Sequence, residues 1–299
     1  MMNQLVTNAE ASYLTATGKI PYGMTNDYMF RAVLQKNVHV LKGLICSLLH
    51  LSEDEVESVV ITNPILPGED IDDKTFILDI NVLLNNHTQI NLEMQMANEH
   101  NWEERSLSYL CRSFDQLSHG QNYLEIKPVI HIGFLNFVPF LGNTEFYATY
   151  KLLNEKNHRL YSDKFVLSVI DLTHIEHATT EDKEAQIDYW ARLFTATSWE
   201  DLKMIAEQNA NMSEATQTMY ELNADLITQQ KCRAREDYYR RQRTYERDMR
   251  LLKEELADAK DENCSLKDEN CTLKDENCTL KDEIAELRDR IAELENSKE

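Results

Sequence analysis

Residues 75–96 read Thr-Phe-Ile-Leu-Asp-Ile-Asn-Val-Leu-Leu-Asn-Asn-His-Thr-Gln-Ile-Asn-Leu-Glu-Met-Gln-Met, and this stretch decides the fold. In both halves apolar and polar side chains alternate with a period of two, which is typical of half-buried strands. The Asn85-Asn86-His87 interruption between them has the composition of a turn. The stretch therefore predicts a β-hairpin with one apolar face, formed by Leu78, Ile80, Val82, Leu84, Ile90, Leu92, Met94 and Met96.

The length of the turn determines which residues of the hairpin face each other. With a three-residue loop at 85–87, Leu84 pairs with Thr88 and Asp79 lies directly opposite Glu93. A two-residue loop would put the apolar sets of the two strands on opposite faces, so the burial pattern selects the odd-length turn. Directly opposed residues have Cβ atoms about 4.5–5.5 Å apart. Two carboxylates at this separation repel each other unless a cation lies between them.

Two interpretations of this acidic pair are open. One is a divalent-metal site formed by Asp79, Glu93 and a nearby backbone carbonyl, with Gln95 beside it. Ligation by oxygen atoms alone suits Mg²⁺ or Mn²⁺. The other is the solvent-facing side of an ordinary amphipathic hairpin, where acidic and amide side chains are expected.

Motifs within and around the hairpin have a family resemblance. The central motif is Asp72-Asp73-Lys74-x4-Asp79-Ile80 followed by Asn91-Leu92-Glu93-Met94-Gln95. The flanking motifs are Thr25-Asn26-Asp27-Tyr28-Met29-Phe30, Arg105-x3-Tyr109 and Gly120-x2-Tyr123-x4-Pro128-Val129-Ile130. Together they resemble the PD-(D/E)XK nuclease family transposases, also called recombination-promoting nucleases (Rpn family), over roughly residues 20–230.

The resemblance implies an α/β fold of the restriction-endonuclease-like (PD-(D/E)XK) type, in which helices flank a mixed β-sheet. It also implies Asp79 and Glu93 as catalytic metal ligands, helped by the backbone carbonyl of Met94. Gln95 stands where the broader superfamily usually carries Lys, and an amide can orient a water molecule but cannot deprotonate it. By the family pattern Asp27 aims a further acid at the metal; its alternative role is a favourable charge at a helix N-terminus.

Three further residues are candidate contacts to DNA phosphate. Lys74 directly precedes the hairpin, where a solvated lysine at a strand edge is the alternative interpretation. Arg105 and Tyr109 lie one turn apart on one face of a predicted helix at 98–119. Together they could hold a phosphate, although pairing of Arg105 with nearby acids of its own helix is an equally ordinary explanation.

Hydrophobic periodicity predicts the remaining elements. Helical spacing runs from Asp27 to His50 as one long or two abutting helices with Thr25 as N-cap, and Gly120 is a suitable end for the 98–119 helix. Strands are predicted at 58–66, 128–137, 145–153 and 164–172, and helices at 182–196, 200–208 and 213–230. The predicted domains are a poorly ordered 1–19, a nuclease-like core at 20–175, a helical extension at 176–230, and a basic helix leading into a coiled coil at 231–299.

Composition limits the classes of partner and compartment. The net charge of −21 argues against indiscriminate nucleic-acid binding, although residues 231–250 hold eight Lys or Arg against four acids. That segment could follow a phosphate backbone, or it is an exposed helical face with internal ion pairs. No signal peptide and no apolar run long enough to span a bilayer is evident, so we expect a cytoplasmic protein without membrane contact. The six cysteines lack zinc-ligand spacing and are expected to be reduced.

The C-terminal tail contains the clearest repeat, which starts at Asp261-Glu262-Asn263-Cys264-Ser265-Leu266-Lys267 and returns every seven residues. Leu266, Leu273, Leu280, Leu287 and Leu294 occupy heptad position d, and Asn263, Asn270, Asn277, Ile284 and Ile291 occupy position a. Residues at g and e carry opposite charges across two parallel helices, so the pattern favours a parallel homodimer. A single solvated helix is the alternative.

The sequence thus predicts a Mg²⁺- or Mn²⁺-dependent DNA endonuclease. Because no Asp-Asp-Glu triad of the RNase-H-like kind is evident, we expect cleavage that promotes recombination rather than strand transfer. The alternative function is an inert nuclease-fold scaffold that dimerises or recruits partners through its coiled coil.

Overall fold

The computed structural model describes residues 12–63 and 79–296 apart from 116, 118, 141 and 143, with side chains described as far as 291. Eight α-helices are described: α1 (Asp27–Lys36), α2 (Val38–Leu49), α3 (Trp102–Phe114), α4 (Thr180–Glu184), α5 (Ile187–Thr195), α6 (Trp199–Ala206), α7 (Ala210–Ala224) and α8 (Leu226–Asn296). The six strands described are β1 (Val59–Ile61), β2 (Ile80–Leu84), β3 (Thr88–Gln95), β4 (Val129–Leu135), β5 (Tyr147–Lys151) and β6 (Phe165–Asp171).

The strands form one mixed sheet in the order β1-β2-β3-β4-β6-β5. Strands β3, β4 and β6 are parallel, while β1–β2, β2–β3 and β5–β6 are antiparallel pairs. Helix α3 connects the parallel strands β3 and β4, whereas the chain passes from β4 to β6 through β5. Helices α1, α2 and α3 contact the sheet. The predicted α/β fold with a mixed sheet flanked by helices is confirmed.

The central hairpin has the predicted register. Leu84 pairs with Thr88, and the antiparallel ladder continues to the pair Ile80 and Leu92. Asn85 and Asn86 adopt positive φ values of 47° and 53° in the three-residue turn, a conformation that asparagine tolerates better than most residues. One step beyond the ladder, the same register places Asp79 across from Glu93.

One face of the hairpin is buried against helices in the main core. Ile80, Val82, Leu84, Ile90, Leu92 and Met94 belong to this core, and Met96 is half-buried against it, while Leu78 lies outside the described residues. Phe30 of α1 and Phe194 of α5 contact Phe134 of β4 on the same side, at ring-centroid distances of 5.5 and 5.1 Å. The predicted apolar face is confirmed for all the residues that the structure describes.

The opposite face of the hairpin is also largely buried. Asp79, Asn91, Glu93 and Gln95 expose 6%, 4%, 1% and 7% of their surface. Helix α3 packs on β4 and β6 at this side of the sheet. The alternative interpretation of these residues as an ordinary solvent-facing strand surface is therefore wrong.

Several predicted helix boundaries are wrong, and at two of them an asparagine side chain caps the helix. The N-cap of α1 is Asn26, not Thr25, and its side chain accepts hydrogen bonds from the backbone N–H groups of Tyr28 and Met29. Asn37 ends α1 and caps α2, which selects the two-helix alternative. Helix α3 ends at Phe114, so Gly120 is not its terminus.

The chain divides into two compact units, 1–238 and 239–299. Residues of α5, α6 and α7 share the main core with α1 and α2, so the predicted helical extension at 176–230 packs as part of the first unit. Of the N-terminal segment predicted to be poorly ordered, 1–11 lies outside the described residues. Tyr13–Thr15 forms a short 3₁₀ helix in contact with α6 and α7.

The second unit is the C-terminal part of α8. Its apolar positions are half-exposed: Leu266, Leu273, Leu280 and Leu287 expose 50%, 49%, 55% and 59% of their surface. Because a stripe of this kind gains nothing from burial within one helix, it is available to a second chain. Among the residues that the structure describes, no helix combines the length and apolar character needed to cross a bilayer.

Gly133 of β4 lets α3 approach the sheet. A Cβ atom at this position would overlap the Cη2 and Cζ2 atoms of the Trp102 indole at the start of α3. Trp102 is 5% exposed and packs against Leu135 and Val169 on this face. The missing side chain therefore sets the distance between α3 and the sheet.

We expect Gly133→Ala to destabilise the protein by about 1–3 kcal/mol, because overpacking must displace the indole. Urea unfolding of the full chain measures this loss. The double variant Gly133→Ala/Trp102→Phe removes the overlapping ring atoms. Its loss of unfolding free energy should therefore be smaller than the sum of the losses in the two single variants. Unchanged stability in Gly133→Ala would contradict this account.

Candidate active site

The backbone of Asp79 is fixed at the start of β2 by two side chains. Its carbonyl oxygen accepts hydrogen bonds from Arg31 Nη1 at 3.0 Å and from Asn63 Nδ2 at 2.9 Å. Asn63 Oδ1 also accepts from the backbone N–H of Asn81 at 2.8 Å. These contacts tie helix α1 and the end of β1 to the residue that faces Glu93.

Buried polar atoms without a hydrogen-bond partner concentrate around the two acids. Within the described residues, Asp79 Oδ2 and Glu93 Oε2 have no such partner, and the same is true of Asn91 Oδ1. Buried polar groups in native proteins are nearly always satisfied, so each exception needs an explanation. A cluster of three acceptors on one sheet face points to a bound cation or donor.

The electrostatics of the pair follow from burial and from the like charge. Burial raises the pKa of Asp79 to about 7, and the charge of Glu93 adds to this effect. Burial also raises the pKa of Glu93, although its ion pair with Arg105 opposes the rise. The charge of Glu93 thus disfavours ionisation of Asp79, and within the described residues only Glu93 of the two acids forms an ion pair with a cationic side chain.

Arg105 of α3 supplies that cation. Its Nε atom donates to Glu93 Oε1 at 2.7 Å, and its Nη1 atom lies 3.7 Å from Glu99 Oε2. Both acids lie outside α3, so the alternative of an intrahelical pairing for Arg105 is wrong. The guanidinium is 5.4 Å from the ring centroid of Tyr109, which places both predicted phosphate contacts beside the acids.

His131 is a site residue that the sequence analysis missed. It pairs with Asn91 in the parallel ladder and its Nε2 atom lies 3.6 Å from Glu93 Oε2. Its ring stacks on Tyr109 at 6.1 Å with an interplanar angle of 11°. Burial lowers the pKa of His131 to about 3, so the ring is neutral. In the sequence, the sign that could have indicated His131 was one polar residue within the apolar stretch that forms β4.

Gln95 and Met94 occupy opposite faces of β3. Gln95 shares the face of Glu93, and its Nε2 atom donates to the carbonyl of Ala97 at 3.1 Å. The side chain of Met94 lies in the main core, on the face of the sheet opposite the acidic pair.

Asp27 is held by Arg235 of α8. Arg235 Nη2 donates to Asp27 Oδ2 at 2.6 Å, and Arg235 Nε lies 3.1 Å from Oδ1. The two side chains are 5% and 9% exposed, so this is a buried ion pair. The charge of Asp27 still contributes to the raised pKa of Asp79. Within the basic segment 231–250, Arg235 is thus neither an exposed charge nor a free phosphate contact.

Lys74, the third predicted phosphate contact, lies outside the described residues, as do Asp72 and Asp73. The site that can be described is therefore formed by one hairpin, the following strand and α3.

The described residues fit a divalent cation held with help from solvent or substrate. No group of three or more His, Cys, Asp or Glu side chains in the described part of the chain is arranged to hold a metal ion. Mg²⁺, however, is commonly bound by only one or two carboxylates together with waters and substrate phosphates. The unpartnered Asp79 Oδ2 and Glu93 Oε2 atoms meet that requirement.

The raised pKa of Asp79 gives a testable pH dependence. Since the folded-state pKa lies above the unfolded value, its stabilising contribution is complete below about pH 4 and is lost as the pH rises through about 7. In metal-free buffer, the wild type should therefore lose on the order of 3 kcal/mol of unfolding free energy between pH 5 and pH 8. The Asp79→Asn variant should not show this loss. Urea unfolding at both pH values measures it, with Asp54→Asn at an exposed carboxyl as control.

Comparison with protein families agrees with this geometry, whereas no curated protein and no solved structure matches the chain. The model of the family described as PD-(D/E)XK nuclease family transposase matches residues 24–254. This range contains the hairpin, α3, β4 and the part of α8 that carries Arg235. With most of its length matched, the chain belongs to the PD-(D/E)XK nuclease family transposases.

Proposed function

We propose that this protein is a Mg²⁺-dependent DNA endonuclease that hydrolyses phosphodiester bonds and thereby promotes recombination; Mn²⁺ could replace Mg²⁺. The observation that carries the proposal is the buried Asp79 and Glu93 pair, each with one carboxylate oxygen that has no partner within the described residues. Membership of a nuclease family makes DNA the expected partner.

Phosphodiester hydrolysis needs neutralisation of the transition state and a strong nucleophile near neutral pH. A bound divalent ion supplies both, by charge stabilisation and by lowering the pKa of water. In this proposal Asp79, Glu93 and the Met94 carbonyl hold the ion.

The other side chains position the reactants. Arg105, whose Nε atom lies 2.7 Å from Glu93 Oε1 and whose guanidinium lies near the Tyr109 ring, would neutralise a phosphate that approaches the acids. Gln95 orients the attacking water through its amide, since it cannot take a proton. His131 is neutral and buried, so it supports Glu93 rather than carrying charge. Asp27 acts on Asp79 through its charge and stays bound to Arg235.

The activity we propose is cleavage in the cytoplasm without strand transfer. The alternative function is an inert scaffold that keeps the nuclease fold. It is favoured by one observation, namely that Arg105 forms an ion pair with Glu93 and so compensates the charge of one of the two acids. Metal binding separates the two functions.

We also propose a parallel homodimer formed through the tail. The half-exposed stripe at Leu266, Leu273, Leu280 and Leu287 has the heptad spacing of a two-stranded coiled coil. Two copies would bring two acid pairs into one assembly, which suits cleavage of both strands.

Asp79→Ala and Glu93→Ala should each reduce Mg²⁺-dependent nicking of plasmid DNA at least a hundredfold, because each removes a ligand of the charge-stabilising ion. The assay is run with metal omitted and restored. Asp54→Ala, which removes an exposed carboxyl, should nick like the wild type. Retained cleavage in either site variant would rule out this site.

Metal titration tests the scaffold alternative. For a nuclease, Mg²⁺ or Mn²⁺ at a hundred times its dissociation constant should stabilise the wild type by about 2.7 kcal/mol, and Asp79→Ala should abolish the gain. A scaffold would show no metal-dependent shift in thermal unfolding.

Leu280→Ser/Leu287→Ser should convert the dimer to a monomer, since it removes two apolar d positions. Light scattering after size-exclusion chromatography measures the mass of the full chain. Cys278→Ser, at the outward b position of the same turns, should remain dimeric. A monomeric wild type, or a dimer that survives the double substitution, would contradict the proposed interface.

A further inference from the structure

A polar cleft of about 180 Å³ is lined by hairpin residues, among them Asn81 and Asn91, that share a face with Asp79 and Glu93. The cleft is lined chiefly by amide, hydroxyl and ammonium groups, from Thr62, Asn81, Gln89, Asn91, Ser113 and Lys127. Because its lining is hydrogen-bonding rather than apolar, it suits a ligand with several donors and acceptors.

The cleft lies one residue row along the hairpin from the acids. Asn81 and Asn91 face each other in the hairpin register, one row away from Asp79 and Glu93. Alternate residues of a strand share a face and lie about 6.6 Å apart. A group bound at the acids is therefore about one nucleotide away from a group bound at the amides.

The floor of the cleft holds a buried acceptor without a partner. Asn91 is 4% exposed, and its Nδ2 atom donates to Asn81 Oδ1 at 2.7 Å. Asn91 Oδ1 has no hydrogen-bond partner within the described residues. An unsatisfied buried amide is costly, so a donor supplied by a ligand or by water would be stabilising at this position.

The walls of the cleft add a positive charge at its rim. Helix α3 packs over β4 and β6, and Ser113 near its end borders the opening. Lys127, just before β4, places its Nζ atom 3.2 Å from the Asn86 carbonyl at the hairpin turn. A neutral amide floor with one ammonium at the rim matches a base joined to a phosphate.

The size of the cleft limits the ligand to one such unit. A volume of about 180 Å³ corresponds to roughly six waters of the liquid and is below the usual range for drug-sized ligands. Asn and Gln side chains are also common partners for base edges, because an amide donates and accepts side by side.

We propose that this cleft receives the base of one nucleotide next to the phosphodiester held at Asp79 and Glu93, with Asn81 and Asn91 contacting the base edge and Lys127 its phosphate. The inference rests on the proposed nuclease function and extends it to the substrate. A base inside a duplex would first have to leave the stack, so the cleft favours DNA with an unpaired nucleotide at the cleavage position.

The experiment scans single-stranded oligonucleotides that each carry one abasic position. Binding of the full-length protein is measured by fluorescence anisotropy with Ca²⁺, which uses the same oxygen ligands as Mg²⁺, and cleavage is measured separately with Mg²⁺. One abasic position should weaken wild-type binding about tenfold, the scale of a lost base contact.

Asn91→Ala should bind the intact and the abasic oligonucleotides with nearly equal dissociation constants. Its affinity for the abasic oligonucleotide should equal that of the wild type. Because Asn91 is buried, Gln89→Ala and Lys127→Ala at the less buried rim serve as second variants, with thermal unfolding as a check of folding. Gln89→Ala should reduce the ratio of the affinities for the intact and the abasic oligonucleotides. Lys127→Ala should weaken binding of every oligonucleotide. Gln208→Ala and Lys156→Ala, exposed elsewhere, are the matched controls and should bind like the wild type.

A flat abasic scan in the wild type, or equal effects of cleft and control variants, overturns the inference. If the protein cleaves DNA with Mg²⁺ but binds all the abasic oligonucleotides equally well, the proposed function holds and the cleft does not bind a base. An abasic effect that needs Asn91, without any Mg²⁺-dependent cleavage, supports the cleft and refutes the nuclease.

Discussion

The repulsion between the Asp79 and Glu93 carboxylates is the constraint on which the rest of the site depends. A two-stranded register brings them face to face, and burial on that face prevents water from screening them. Burial raises the pKa of both groups, and at Asp79 the charge of Glu93 raises it further. A folded protein retains such an arrangement only when surrounding contacts over-determine it, and this is typical of functional sites.

The contacts that hold the two acids come from both sides of the sheet. Arg31 and Asn63 hold the Asp79 carbonyl, so the acid cannot move away along the sheet. On the other side, the absent side chain of Gly133 admits Trp102 and lets α3 lie close to the sheet. That approach places Arg105 against Glu93. Packing of apolar groups therefore determines where the guanidinium that pairs with Glu93 lies.

The buried pair of Asp27 and Arg235 connects this site to the start of the long C-terminal helix. Such pairs are weak contributors to stability but are strongly destabilising when one partner is lost. Here the pair fixes which part of α8 packs on α1, and Asn26 Nδ2 adds a hydrogen bond to the Cys232 carbonyl. The boundary between the two units at 238 and 239 follows directly after this attachment.

The sequence by itself determined the hairpin, its odd-length turn and its register. The reason is that a shift of one residue in the strand pairing would move the apolar side chains of one strand to the opposite face. It also determined the heptad tail, whose pattern needs no tertiary partner within the chain. Helix ends were less accessible, since Asn26 and Asn37 act as caps through side-chain geometry that periodicity does not contain. Only the tertiary structure decided that the polar face is buried, and that His131 and Arg105 lie beside Glu93. It alone brought Arg235 to Asp27, 208 positions away in the chain. The physical reason is that strand pairing across a short turn is local, whereas these contacts depend on how distant elements pack.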